Sequence, residues 1–379
     1  MGRADCKRTN NIIFIAPLSA FRKRTRLAKL VETLLSHDFS VLFFGWEREE
    51  GELDAMRWGD ARVSEHAILK GGGYVSRKAR MMYPLWMFSV FWKVIRLRDR
   101  PTVYCLGWET AFPALLASFF NNVQVVFDDA DRFSMIFGMP SSLLGVLQYL
   151  EKWTSRRVNL HLVPSFSRYD WRHEKMRVFR NSPTEATFNA ARLMAPARLN
   201  VDLVIYVNGW VGDSRGAPVF LEVMRRFHRD ERNIIMHVAG RVDSSEGREL
   251  VELPNVIFHG EVSQDLALSL YPACDVVLTF YDPKVRINRL AESNKWGDCI
   301  FFNTPFIVNQ EVNTAADFLK AGAAWSVLYS DVDALEELLI QLAGAPQSIN
   351  GAAHSLSEFK SAYPPFNVQV EQLLIGEIL

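Results

Sequence analysis

Residues 11–45 read NIIFIAPLSAFRKRTRLAKLVETLLSHDFSVLFFG, and this stretch decides the fold class. Its opening, NIIFIAP, is a short apolar run closed by proline, the pattern of a strand buried on both faces. Over residues 21–36 the period changes: Leu27, Leu30, Val31, Leu34 and Leu35 fall on one face of a helix. A second buried strand, FSVLFFG, follows at 39–45. Strand, helix and strand in that order make a βαβ unit.

The alternation runs on. Strands are expected at 102–106, 123–127 and 160–164, and helices at 110–120 and 142–155. Residues 177–183 (RVFRNSP) close this half with a polar, proline-ended stretch, and 184–200, rich in alanine and polar side chains, read as a linker. Then the pattern restarts. Strands are expected at 201–207, 233–239, 256–259, 276–280 and 305–308, with helices at 217–228, 263–271, 289–301 and 331–342. The apolar tail 368–379 is expected as a last helix that packs back on the first half. The fold class is therefore α/β, with two Rossmann-like doubly wound parallel-sheet domains, 1–183 and 201–379, joined by 184–200. Ligands of such sheets bind beyond the strands' carboxyl ends, so the expected site is a cleft between two facing sheets.

Composition agrees. A chain of 379 residues suits two cores, and 49% apolar with 23% charged residues is a soluble globular mixture. The formal net charge is zero, so no nucleic acid is expected as a partner. The zero hides an asymmetry: residues 1–180 carry 28 Lys and Arg against 18 Asp and Glu, and residues 181–379 carry 15 against 25. Cys6, Cys105, Cys274 and Cys299 are far apart and form no C-x-x-C pair, which suits a reducing compartment. The first 11 residues are polar, and no uncharged apolar run approaches the roughly 18 residues of a membrane span. The expected location is cytoplasmic, with peripheral contact at the inner face of a membrane.

Three blocks of the second half carry a family resemblance. Residues 204–216 (VIYVNGWVGDSRG) give a strand, a glycine turn and a basic residue before glycine. Residues 256–283 (VIFHGEVSQDLALSLYPACDVVLTFYDP) give a strand, an HG pair, a short helix and a second strand. Residues 291–309 (AESNKWGDCIFFNTPFIVN) give an asparagine-lysine pair, an acid three residues on, and a strand. In this order and spacing the chain resembles the GT-B glycosyltransferases, most closely their family 4-like group. In the first half, RNSP at 180–183 is similar to the end of that group's acceptor domain.

The resemblance implies a nucleotide-sugar donor site in the second half. Arg215 stands where the family puts a basic residue on the diphosphate, and Gly209 and Gly216 would let the backbone come close. Asp298 inherits the acid that holds the ribose hydroxyls. Asn294 and Asp298 lie four apart on one helix face, with Lys295 beside them for the phosphates. His259, before Gly260 at a strand end, faces the same expected site. Many family members carry two glutamates eight positions apart, but the position eight before Asp298 is Leu290. Glu292 is the nearest acid, out of register.

In the first half, Asp128-Asp129-Ala130-Asp131 follows the strand VQVVF and so sits at a carboxyl end. Transfer with inversion needs a carboxylate to deprotonate the acceptor hydroxyl, and Asp129 is the candidate, with Asp128 next. The plainer reading is helix capping. D-A-D is also a metal-binding pattern of the other large transferase fold, but the two-domain pattern argues against it, and no metal or cofactor is expected. Arg22, Lys23, Arg24 and Arg26 crowd a helix start, where they oppose the helix dipole, so Arg22 and Arg24 are candidates for binding an anionic acceptor. Residues 76–100 set YPLWMFSVFW between basic ends, the make-up of an interfacial helix, although a core-facing helix with basic ends is the plainer reading. His161 and His237 read as core residues, and residues 71–73 (GGG) as a loop.

The expected activity is transfer of a sugar from a nucleoside diphosphate sugar to a saccharide acceptor; the resemblance and the basic first half point to a lipid-linked acceptor in bacterial-type envelope or polysaccharide synthesis. A sugar-nucleotide epimerase of the same fold and a non-catalytic binding module are the alternatives.

Overall fold

The structure is a computed structural model that describes residues 11–74, 77–136 and 140–378. Cys6 and Ser76 lie outside the described residues. Two compact units form: Met1–Phe179 with Phe366–Leu379, and Arg180–Pro365.

The first unit is a seven-stranded sheet. Its strands are β1 (Asn11–Ala16), β2 (Ser40–Glu47), β3 (Val63–Lys70), β4 (Thr102–Leu106), β5 (Gln124–Asp128), β6 (Leu160–Val163) and β7 (Met176–Val178). Their order is β3-β2-β1-β4-β5-β6-β7, and every pairing is parallel. The run of β1 is buried from Ile12 to Ala16, as a strand covered on both faces must be. The basic run resolves into a short 3-10 turn, Phe21–Lys23, and the helix Thr25–Ser36, whose Leu27, Leu30, Val31 and Leu34 are buried. The chain's tail completes this unit: Phe366, Val370 and Leu374, on the helix Phe366–Val370 and the π-helical turn Glu371–Ile375, join the core that holds Leu27 and Leu30.

The second unit is a six-stranded sheet of β8 (Leu203–Asn208), β9 (Ile234–Ala239), β10 (Val256–Phe258), β11 (Val276–Thr279), β12 (Phe306–Asn309) and β13 (Ala324–Val327). The order is β10-β9-β8-β11-β12-β13, again all parallel. Residues 184–200, read as a linker, contain the helix Glu185–Leu193, capped by Thr184 and seated by the buried Ala191.

Each strand order reverses once, at β1/β4 and at β8/β11. The helices that follow neighbouring strands there go to opposite faces of the sheet. In doubly wound sheets the carboxyl ends of the strands at such a reversal are where a crevice forms and ligands bind.

Candidate functional site

In the second unit, β8 ends in Asn208-Gly209, with Gly209 in the left-handed region at φ 89°. Gly240, after β9, packs so tightly on this turn that a Cβ there would lie 1.9 Å from the Gly209 carbonyl oxygen. Gly216, also left-handed, precedes the helix Ala217–Arg229, and a Cβ on it would strike Phe220 and Phe280. Only glycine fits at such positions.

Two cations meet this turn. Arg215 lies 4.6 Å above the Tyr281 ring and 5.4 Å from that of Trp210, and donates to Asn288 Oδ1 at 3.3 Å. Lys295 reaches Gly209, where a Cβ would sit 3.2 Å from its Nζ. Lys295 is in the first turn of the helix Asn294–Phe302, whose N-cap Ser293 accepts from the Lys295 amide and from Tyr281 Oη at 2.7 Å. A cation at a helix N-terminus opposes the helix dipole. Among the described residues, no carboxylate forms an ion pair with Arg215 or Lys295.

The other expected donor residues divide. Asp298 is on the same helix, one turn on, and accepts from Tyr271 Oη at 3.3 Å. Asn294 is exposed, and Ser293, not Asn294, caps the helix. Helix begins only at Asn294, because Arg286–Leu290 forms a 3-10 turn. Glu292 Oε1 accepts from Arg180 at 2.8 Å and from Tyr363 at 2.9 Å, an anchored arrangement. His259 stands at the end of β10, with β9 between it and β8. It pairs with His237 instead, Nε2 to Nδ1 at 2.8 Å, and burial lowers both histidines, His237 to about 4. Sequence reading did not single out Trp210, Tyr281 or Ser293. Aromatic residues in a turn carry no motif until the fold brings them to the cations.

In the first unit the acidic run splits by depth. Asp128 is wholly buried; both its oxygens hold Arg26 at 2.8 Å, and Tyr104 Oη donates to it. Asp129 is 1% exposed and accepts from Tyr169 Oη at 2.6 Å, with His161 Nε2 3.9 Å away. Neither presents its carboxylate to solvent. Asp131 does: its side chain is 44% exposed and pairs with Arg24 at 3.2 Å. The basic run is thus largely neutralised inside the chain, Lys23 by Glu52, Arg24 by Asp131 and Arg26 by Asp128. Arg22 lies 5.1 Å over the Trp58 ring.

Glu109, unremarked in the sequence, follows β4 at the start of the helix Trp108–Asn121. Burial pushes its carboxyl up to about 7, with Asp129 adding to the rise and Arg24 and Arg48 opposing it. Among the described residues no three His, Cys, Asp or Glu gather to hold a metal ion.

The helix Tyr83–Ile95 has two apolar faces. Trp86, Val90 and Val94 are fully buried. Leu85, Phe88 and Trp92 are exposed on the other side, with Met81, Phe119 and Phe120 also exposed. Arg80, Arg96, Arg98 and Arg100 are exposed too. Among the described residues no helix is long and apolar enough to cross a membrane.

No family model matches the sequence, and no curated protein matches it. Solved structures do match. Sucrose-phosphate synthase from Thermosynechococcus elongatus shares 15% identity over 97% of this chain and 98% of that one, with TM-score 0.64. The structure described as "Trehalose-6-phosphate from E. coli bound with UDP-2-fluoro glucose" shares 11% over 97% and 98%, with TM-score 0.66. A putative UDP-N-acetylglucosamine 2-epimerase from Listeria monocytogenes shares 11% over 97% and 95%, with TM-score 0.61. At these identities the likeness is one of fold. The two parallel-sheet, Rossmann-like units have the GT-B architecture.

Proposed function

We propose that this protein is a glycosyltransferase that moves a sugar from a nucleoside diphosphate sugar to a saccharide acceptor. The observation that carries the reading is the pair Arg215 and Lys295, two cations without a carboxylate partner among the described residues, at the β8/β11 crevice. A diphosphate there would satisfy both cations and reverse the unfavourable dipole term at Lys295. The glycine turn lets backbone approach the phosphates, and Asp298 accepts from the ribose hydroxyls. The fold neighbour from E. coli carries a UDP-sugar, which supports this class of ligand.

Transfer needs a carboxylate to take the acceptor's hydroxyl proton. The sequence suggested Asp129 or Asp128. In this reading the role falls to Asp131, the carboxylate of the run that is open to solvent. The acceptor is lipid-linked, as in envelope or polysaccharide synthesis. The exposed apolar and basic face around Leu85, Phe88 and Trp92 supports this, because such a face suits an anionic membrane surface.

The epimerase neighbour gives a second reading. Incubating the protein with UDP-, GDP-, ADP- and TDP-sugars, with and without lipid-linked saccharides, separates the two. Acceptor-dependent nucleotide release, lost in Asp131→Asn with nucleotide binding retained, supports transfer. Conversion of a nucleotide sugar with no acceptor present supports epimerisation and overturns the proposal.

A further inference from the structure

Four arginines of the first unit, Arg26, Arg48, Arg132 and Arg168, are comparably buried, and Arg26 and Arg132 hold carboxylate partners. Arg26, 7% exposed, holds Asp128, and Arg132, 4% exposed, holds Glu151 at 3.1 Å. Arg48, 8% exposed, forms no ion pair with any described carboxylate. The acids nearest to it along the chain that are not freely solvated, Glu47 and Glu52, are taken by Lys70 and Lys23. Arg48's hydrogen bonds are long: Nε and Nη2 to the Pro17 carbonyl, Nη1 to the Gly73 carbonyl and Nη2 to Tyr83 Oη, all at 3.4 Å. A well-made N–H···O bond is nearer about 2.9 Å. A buried guanidinium that feels the Glu109 carboxyl only through its charge, with no ion pair, is unfavourable unless an anion completes it.

Its setting is that of a ligand site. Arg48 follows β2, beside the β1/β4 crevice. Its guanidinium lies 3.9 Å over the Trp46 ring, with the Tyr74 and Tyr83 rings 5.5 and 5.6 Å away. The aromatic walls fix the planar fork, which is the geometry that receives two oxygens of a phosphate side by side.

We propose that Arg48 is the anion-binding residue of a subsite in the first unit, one that takes a phosphate or diphosphate group. That the group belongs to the acceptor rests on the transferase reading; the anion site itself does not. It is separate from the Arg215 and Lys295 site in sequence, sheet and unit.

The test uses inorganic pyrophosphate, titrated calorimetrically into the full chain saturated with UDP, so that the second unit's site is filled. Wild type should bind pyrophosphate. Arg48→Gln should lose at least tenfold in affinity. Absence of binding to wild type, or equal binding by Arg48→Gln, overturns the proposal. Should Arg48→Gln not fold, protection of wild-type Arg48 from phenylglyoxal by pyrophosphate decides: no protection overturns it. Vesicles of anionic phospholipid distinguish the source of the phosphate. A diphosphate acceptor predicts that Arg48→Gln binds them as wild type does, and loss of vesicle binding in that variant overturns the acceptor assignment. Failure of UDP to bind would sink the donor reading alone, and the pyrophosphate titration would then be run without it.

Discussion

The Lys295 ammonium reaches across to the glycine that ends β8, so that a Cβ on Gly209 would lie 3.2 Å from Nζ. A lysine in the first helical turn is held there against the helix dipole, a cost that the diphosphate of the proposed donor would offset. Lys295→Ala should therefore raise the stability of the free protein by about 0.3–1 kcal/mol, read from urea unfolding, while nucleotide affinity falls. A loss of stability would mean that Lys295 supports the fold instead.

Asp128 and Asp131 lie three residues apart and should behave oppositely. Asp128→Asn leaves Arg26 buried without its counter-charge, at a cost of about 3–5 kcal/mol. Asp131→Asn breaks an exposed pair and should cost no more than about 1 kcal/mol. Chemical denaturation of the two variants checks this, and similar losses would contradict the depth assigned to each side chain.

Glu109 should make stability depend on pH. Its folded carboxyl is raised by burial from the usual 4.5 to about 7. The folded state therefore holds the proton more tightly than the unfolded chain does. The stabilising contribution is full below about pH 4.5 and is lost as pH rises through about 7, with a span on the order of 3 kcal/mol. Glu109→Gln should flatten the stability profile in that window. An unchanged profile would contradict the assignment.

The outer face of the helix Tyr83–Ile95 should bind anionic vesicles. Phe88→Ser with Trp92→Ser removes exposed apolar area without touching Trp86 or Val90. Vesicle sedimentation should fall by about tenfold or more, on the basis of about 25 cal/mol per Å² buried, with the melting temperature unchanged. Equal sedimentation of variant and wild type would remove the membrane from the account.

The buried strands were legible because β1, β2 and β8 are apolar runs between turn residues, and burial on both faces demands that composition. Three of the four edge strands hide: β3 (VSEHAILK) has a half-polar face, and β7 and β13 are short. That Arg215 and Lys295 stand at the turn after β8 and at a helix start was legible from the glycine turn and the Asn-Lys pair around them. The depths of Asp128 and Asp129 were not, because a carboxylate that caps, pairs or faces solvent is spelled the same way. Glu109 and Arg48 carry no local pattern; their character comes from burial and from neighbours distant in sequence.

The central claim is a nucleotide site built on Arg215 and Lys295. Titration calorimetry with UDP, GDP, ADP and TDP tests it most directly, comparing wild type with Arg215→Ala/Lys295→Ala. Wild type should bind one nucleotide selectively, and the folded double variant should not. Binding of none of them by wild type, or equal binding by the double variant, would contradict it.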